Sequence, residues 1–136
     1  MSIRIGVDIV DVDRLRRTID LQPEIADDLF TDAEMAASRL QGHGYPFLSA
    51  CLAVKEAFLK ATGIGLRDGI LFRDIEIITD AAGISGIRLQ GILRARFGAS
   101  AASECRVSAA FTQQVACAVV ALPLEGRRTD EPYWVV

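Results

Sequence analysis

Residues 47–66 read FLSACLAVKEAFLKATGIGL, an apolar helical pattern that carries Lys55, Glu56 and Lys60 and closes on two glycines, Gly63 and Gly65. At about 100° per residue, Ser49, Ala53, Glu56 and Lys60 fall on one stripe, and Phe47, Leu48, Cys51, Leu52, Val54, Phe58 and Leu59 cover most of the remainder. A helix apolar on nearly every other side is expected to be buried. The plain account of Glu56 and Lys60 is an i,i+4 pair worth roughly 0.2–0.5 kcal/mol. Their setting argues against it, because a charge kept beside a buried surface needs a partner, a metal or a ligand.

Composition bounds the rest. With 136 residues, 51% of them apolar, the chain supports one hydrophobic core and not two comfortable domains. A net charge of −3 is ordinary for a globular protein and gives no sign of a nucleic-acid binder. Cys51, Cys105 and Cys117 lack metal-ligand spacing and sit in apolar runs, so buried reduced thiols and a cytoplasmic protein are expected. No apolar run reaches the length of a bilayer span and no signal-peptide pattern opens the chain, so neither membrane insertion nor export is implied.

Working outward, residues 3–12 read as a strand in which Ile3, Ile5, Val7 and Ile9 alternate onto one face, leaving Arg4, Gly6 and Asp8 on the other. Asp8 has an exposed edge as its plain account; beside a glycine it can also mark a place where something approaches the backbone. Asp11 or Asp13 is positioned to cap a helix beginning near Arg14. Arg14, Arg16 and Arg17 then form a compact basic cluster, read either as solvated arginines or as a surface for an acidic partner. A helical segment over 24–30 leads to Thr31-Asp32-Ala33-Glu34, a capping box that predicts a helix over 32–40 and by itself accounts for Glu34. Residues 41–46, with His43, are expected as a loop.

Beyond the central helix, Arg67-Asp68-Gly69 reads as a turn, 70–72 and 74–79 as strand-like runs, and 80–83 as the turn of a hairpin into 84–89. A helix over 90–97 is expected to end at Gly98, with the small residues 99–103 as a linker. Residues 106–111 and 116–122 are the strands of a closing hairpin. The tail ends in Tyr133-Trp134-Val135-Val136, an apolar patch expected to dock on the body or on a neighbouring subunit.

Gly6-Val7-Asp8-Ile9-Val10, Phe30-Thr31-x-x-Glu34, Lys55-Glu56-Ala57-Phe58-x-Lys60-Ala61-x-Gly63-x-Gly65, Asp74-Ile75-Glu76-Ile77 and the closing Val107-Ser108 together resemble holo-acyl-carrier-protein synthase, in that family's order and over nearly the whole chain. The resemblance implies an α+β fold of the 4'-phosphopantetheinyl transferase type, an antiparallel sheet with a central helix, formed by residues 1–125 with 126–136 as a tail. It also implies a homotrimer with active sites between subunits. The implied reaction moves the phosphopantetheine arm of coenzyme A onto a serine of an acyl or peptidyl carrier protein, with magnesium as cofactor.

Under that resemblance Asp8 and Glu56 are the expected metal ligands, a hard cation being satisfied by a few carboxylates with phosphate and water oxygens. Lys60, Gly63, Gly65 and Ser108 are the expected cofactor-binding residues. Glu56, Lys60 and Glu34 are the expected catalytic residues, with Glu56 or Glu34 positioning the base, and Arg14, Arg16 and Arg17 would meet an acidic carrier protein.

Two departures fall where the family handles coenzyme A. The family's helix commonly carries an arginine where this chain has Cys51. Its closing strand commonly ends Ser-His where this chain has Ala110 and Phe111. One lost charged contact to a phosphate costs about 1.5–3 kcal/mol. Two readings therefore stand. One is an active transferase with a divergent coenzyme A pocket, favoured by Asp8, Glu56 and Lys60. The other is a relative that has lost transfer and serves in binding, assembly or a different small-molecule reaction, favoured by Cys51, Ala110 and Phe111.

Overall fold

The computed structural model describes residues 2–64 and 69–124. Strand β1 (Ser2–Asp11) ends on the residue that caps the next helix: the Asp11 carboxylate accepts the Arg14 N–H at 2.8 Å at the start of α1 (Val12–Leu21). Of the two candidate caps, Asp11 is the one used. A short α2 (Ile25–Leu29) leads to Thr31 and Glu34, which close the expected capping box on α3 (Asp32–Leu40). The central helix, α4 (Gly44–Thr62), begins before its apolar pattern does, so the preceding loop is shorter than the 41–46 expected. Pro46 sits in its first turn, where a missing N–H costs little. Gly63, at φ 73°, ends α4 in the left-handed conformation that glycine adopts without strain.

Residues 70–72 are not a strand; Phe72–Asp74 is one 3₁₀ turn leading into β2 (Ile75–Asp80). β2 pairs antiparallel with β3 (Gly83–Leu89) as the expected hairpin, with a bulge at Ile78/Thr79. The helix expected to stop at Gly98 kinks there and resumes, giving α5 (Gly91–Glu104). The small residues 99–103 include three alanines, whose helix propensity carries the chain on past the glycine. β4 (Arg106–Phe111) and β5 (Val115–Leu124) close the described chain. The apolar tail 133–136 lies outside the described residues, as do Gly65 and the Arg67-Asp68 part of the expected turn.

β1, β5 and β4 form an antiparallel sheet in that order, and α4 packs across one face of it. Gly6, Asp8 and Val10 of β1 share that inner face with Ala116, Ala118 and Val120 of β5, all three buried. The exposed-edge account of Asp8 is thereby overturned: its side chain is turned under the helix. The open side is the apolar one, with Ile3 66%, Ile5 66%, Val7 52% and Ile9 68% exposed, beside Val115 and Val119. Alternation divides a strand into two faces without saying which one meets the core. The choice here follows from size, because the inner face is lined with glycine and alanine and admits the helix backbone.

Gly6 marks the closest approach. A Cβ built there would stand 1.8 Å from the Ala57 carbonyl oxygen and 2.9 Å from the Ala61 nitrogen. Both obstacles are backbone, so neither rotates away. Gly6→Ala is expected to cost about 3 kcal/mol or more, at the upper end of overpacking penalties. Denaturant unfolding checks this, with Gly86→Ala, where nothing lies within 4 Å of the added Cβ, as the control.

Candidate active site

β1 and α4 bring three charged groups together where they cross. Asp8 lies two residues beyond Gly6, and Glu56 and Lys60 flank Ala57 on the helix that Gly6 admits. The Lys60 ammonium donates to Asp8 Oδ1 at 2.8 Å and to the Val7 carbonyl at 3.1 Å. The plain i,i+4 account of Glu56 and Lys60, which their setting argued against, gives way to a pair between strand and helix. Asp8 Oδ2 is buried and has no donor. Burial first, then hydrogen bonding to Asp8 and its charge, push the Glu56 carboxyl up to about 8, against the opposing pull of Lys60 and Arg14. A hydrogen bond between the two acids needs a proton, and the raised Glu56 carboxyl is the group that carries it.

Two adjacent carboxylates with an orphaned oxygen suit a hard divalent cation. Among the described residues no group of three or more His, Cys, Asp or Glu side chains could hold a metal. Two carboxylates are the protein donors such a cation would find here, a set that phosphate and water oxygens would have to complete. On the flank of this site lies a cleft of about 530 Å3 lined by Ile9, Arg14, Leu15, Leu29, Leu52 and Glu56. Its floor is apolar and its rim carries both signs of charge. On the outside of α1, Arg16 and Arg17 both pair with Asp13, Arg17 at 3.3 Å, and the hydrogen bond from Arg16 holds the Asp13 carboxyl below its usual range.

Glu34 is not part of this cluster. Its Oε2 accepts from Thr31 N at 3.0 Å and from Lys55 Nζ at 2.7 Å, and its Oε1 accepts from Ile77 N at 2.8 Å. Those bonds, with both side chains essentially unexposed, place Glu34, expected from the resemblance as a catalytic group, in a buried pair with Lys55. Lys55 also donates to the Leu29 carbonyl at 2.7 Å and lies 5.4 Å from the centre of the Phe30 ring. Burial pulls its ammonium below the usual range while Glu34 holds it up. Sequence reasoning named Lys55 among the helix charges but gave it no partner, although a lysine on the apolar side of a buried helix is itself the signal for a buried partner.

Gly63 donates its N–H to the carbonyls of Leu59 and Lys60 as the α4 cap, so that amide is already committed and is not free to cradle a phosphate. Gly65 lies outside the described residues. Ser108 is exposed and pairs with Val119, which also pairs with Val7, so it sits on the outer face of the sheet, away from Asp8. Cys51 is fully buried and its thiol is pushed well up by burial, so in this chain position 51 is a core position. Phe111 packs edge-on against His43 at 5.4 Å. Both line a recess of about 710 Å3, together with Phe47, Asp80 and Ala110.

The raised Glu56 carboxyl has a consequence for stability. The fold favours the protonated form, so between the ordinary carboxylate range and about pH 8 the native state holds more protons than the unfolded chain. Stability of the metal-free protein is expected to fall as pH rises through this window, and Glu56→Gln is expected to flatten that dependence. Thermal melts from pH 5 to 9 in chelator check both.

The chain matches the profile of the 4'-phosphopantetheinyl transferase superfamily over residues 4–120. It is 34% identical over 118 residues to the holo-[acyl-carrier-protein] synthase of Geobacter metallireducens, covering 86% of this chain and 94% of that one. It is 37% identical over 134 residues to the corresponding protein of an Exiguobacterium species, covering 96% and 99%. Its fold resembles that of the Neisseria meningitidis holo-[acyl-carrier-protein] synthase, with a TM-score of 0.76 and 28% identity over 89% of this chain and 98% of that one. It also resembles the ACPS–CoA complex of Chronobacterium ammoniagenes in fold, with a TM-score of 0.79 and 22% identity over 93% and 100%. With the α+β architecture and the Asp8–Glu56–Lys60 cluster in place, the chain belongs to the 4'-phosphopantetheinyl transferase superfamily, and within it to the holo-acyl-carrier-protein synthase group.

Proposed function

We propose that this protein transfers the 4'-phosphopantetheine arm of coenzyme A to a serine of an acyl or peptidyl carrier protein in a magnesium-dependent reaction. The observation that carries the reading is the convergence of Asp8, Glu56 and Lys60 from a strand and a helix at one crossing. In the reaction the serine oxygen bonds to the β-phosphorus, the bond from that phosphorus to the bridging oxygen breaks, and adenosine 3',5'-bisphosphate leaves. Asp8 Oδ2 and the Glu56 carboxylate are the oxygens that would hold the cation, which when bound neutralises charge on the diphosphate. Lys60, with 36% of its side chain exposed, can exchange the Val7 carbonyl for a phosphate oxygen without leaving the site. The serine hydroxyl loses its proton as the new bond forms, and the Glu56 carboxylate is the group that would accept it, directly or through a water.

The apolar outer face of the β1–β5–β4 sheet supports a homotrimer, since a contiguous exposed apolar surface calls for a partner. Ser108 lies on that face, so a neighbouring copy is what would bring it toward a ligand. The arginine-bearing helix α1 and the apolar cleft beside Arg14 support docking of an acidic carrier protein, steered by charge and seated by burial. The competing reading, a protein that has lost transfer, rests on Cys51, Ala110 and Phe111. Cys51 is a core position here, which removes one of its three supports.

The intact mass of apo carrier protein, incubated with this protein, coenzyme A and magnesium, is expected to rise by one phosphopantetheine arm, and not to rise in chelator. No gain with several carrier types, alongside an active synthase as control, overturns the transferase reading in favour of the binding protein. Asp8→Ala and Glu56→Ala are each expected to lower the rate by about 100-fold or more while the protein stays folded.

Reversing two charges on α1, Arg16→Glu with Arg17→Glu, is expected to raise the KM for an acidic carrier about tenfold at low salt, with the difference shrinking as ionic strength rises. Steady-state kinetics in 20 and 300 mM salt measure it.

A further inference from the structure

We propose that Glu34 and Lys55 are positioning residues for Glu56, setting the roll of α4 so that the Glu56 carboxylate meets Asp8. This rests on the proposed function of that site. α4 is apolar and buried almost all the way round. Apolar burial is non-directional, and although the Gly6 contact turns Ala57 and Ala61 toward β1, it fixes the rotation of such a helix less finely than a hydrogen bond does. Gly6 sets the distance between β1 and α4, but a residue with no side chain interlocks with nothing. Directional contacts set the roll: Lys60 bonds Asp8 and the Val7 carbonyl on the β1 side, and a second, fully buried junction lies a single residue from Glu56.

Lys55 donates to Glu34 Oε2 and to the Leu29 carbonyl, both at 2.7 Å, and Glu34 Oε1 accepts from Ile77 N at 2.8 Å. The junction therefore ties α4 to the end of α2, the first turn of α3 and β2 simultaneously, with neither charged side chain open to water. Lys55 and Glu56 are adjacent and point about 100° apart, so anchoring one aims the other. With side chains reaching about 5–6 Å from the helix axis, a roll of about 20° moves a carboxylate by about 2 Å. That displacement is as large as a metal–oxygen bond. The pair is thus placed to act on cation binding through geometry while touching neither cation nor substrate.

The test uses Glu34→Gln with Lys55→Met, which removes both charges together and leaves no lone buried ion. Thermal melting establishes that the variant is folded. Mn2+ uptake is then read by electron paramagnetic resonance in the presence of coenzyme A and without carrier protein, for wild type, the double variant and Asp8→Ala. The expected result is a 10- to 100-fold weaker Mn2+ affinity in the folded double variant. Carrier modification is expected to show a lower kcat with an unchanged KM for carrier. Wild-type affinity and kcat in the folded double variant overturn the positioning role and leave the pair to the fold alone. Wild-type protein that takes up no Mn2+, or takes it up no better than Asp8→Ala, overturns the cation site itself. Should the double variant not fold, Glu34→Gln, which keeps an acceptor for Ile77 N, is measured in the same way: weakened Mn2+ affinity supports the positioning role, and wild-type affinity and kcat overturn it.

Discussion

The structure depends on one close approach, the backbone of β1 against the backbone of α4 at Gly6. Only a residue without a side chain can lie there, since the first atom of any other would occupy the Ala57 carbonyl. From this contact the rest of the inner face follows. Ala116 and Ala118 keep the neighbouring strand low enough for the helix to pass, and Val120 and Leu122 fill the wider end. The same contact creates the site, because Asp8 is two residues from Gly6 and Glu56 precedes Ala57. Packing and chemistry are therefore decided by the same few ångströms, and neither can be altered without the other.

Two carboxylate–ammonium pairs are built from lysines five residues apart on α4, and they differ in everything but distance. Lys55 and Glu34 are sealed from water, and each has further partners of its own. Such a pair recovers little net energy after desolvation, but removing one member is strongly destabilising. Lys60 is part-exposed beside the buried Asp8, which keeps one oxygen without a donor. An incompletely satisfied pair beside a second acid is poorly suited to holding a fold together and well suited to accepting a cation and a phosphate. The helix thus carries a sealed lysine and a part-exposed one less than two turns apart.

Much of the fold was legible from residue pattern. The capping box at Thr31 and Glu34, the helical span of 32–40, the β2–β3 hairpin and the closing strand pair rest on local rules of turn chemistry and hydrophobic period, and local rules hold where no distant contact competes. The elements that differed were overridden by context. The chain passes Gly98 with a kink instead of stopping, and residues 70–72 are taken up by an approach to a single turn in which Asp74 accepts from the Leu71 N–H. The candidate site was legible in part: Asp8 and Glu56 stood out as acids in places that acids avoid, whereas Lys55 was named among the helix charges without a partner, and Glu34 was read as a cap and, from the resemblance, as a catalytic group.

The amino-acid sequence by itself determined the order of the elements, the presence of a buried helix with charges on it, and the family to which the chain is similar, because each of these is written in short-range patterns and motifs. Only the tertiary structure decided which face of β1 meets the core, which acid each lysine pairs with, and that Cys51 and Glu34 belong to the interior. The physical reason is that a period-2 strand has two equivalent faces and a lysine has several acids within its reach. Steric fit at Gly6 and the cost of a buried unpaired charge choose among them, and both act between residues tens of positions apart.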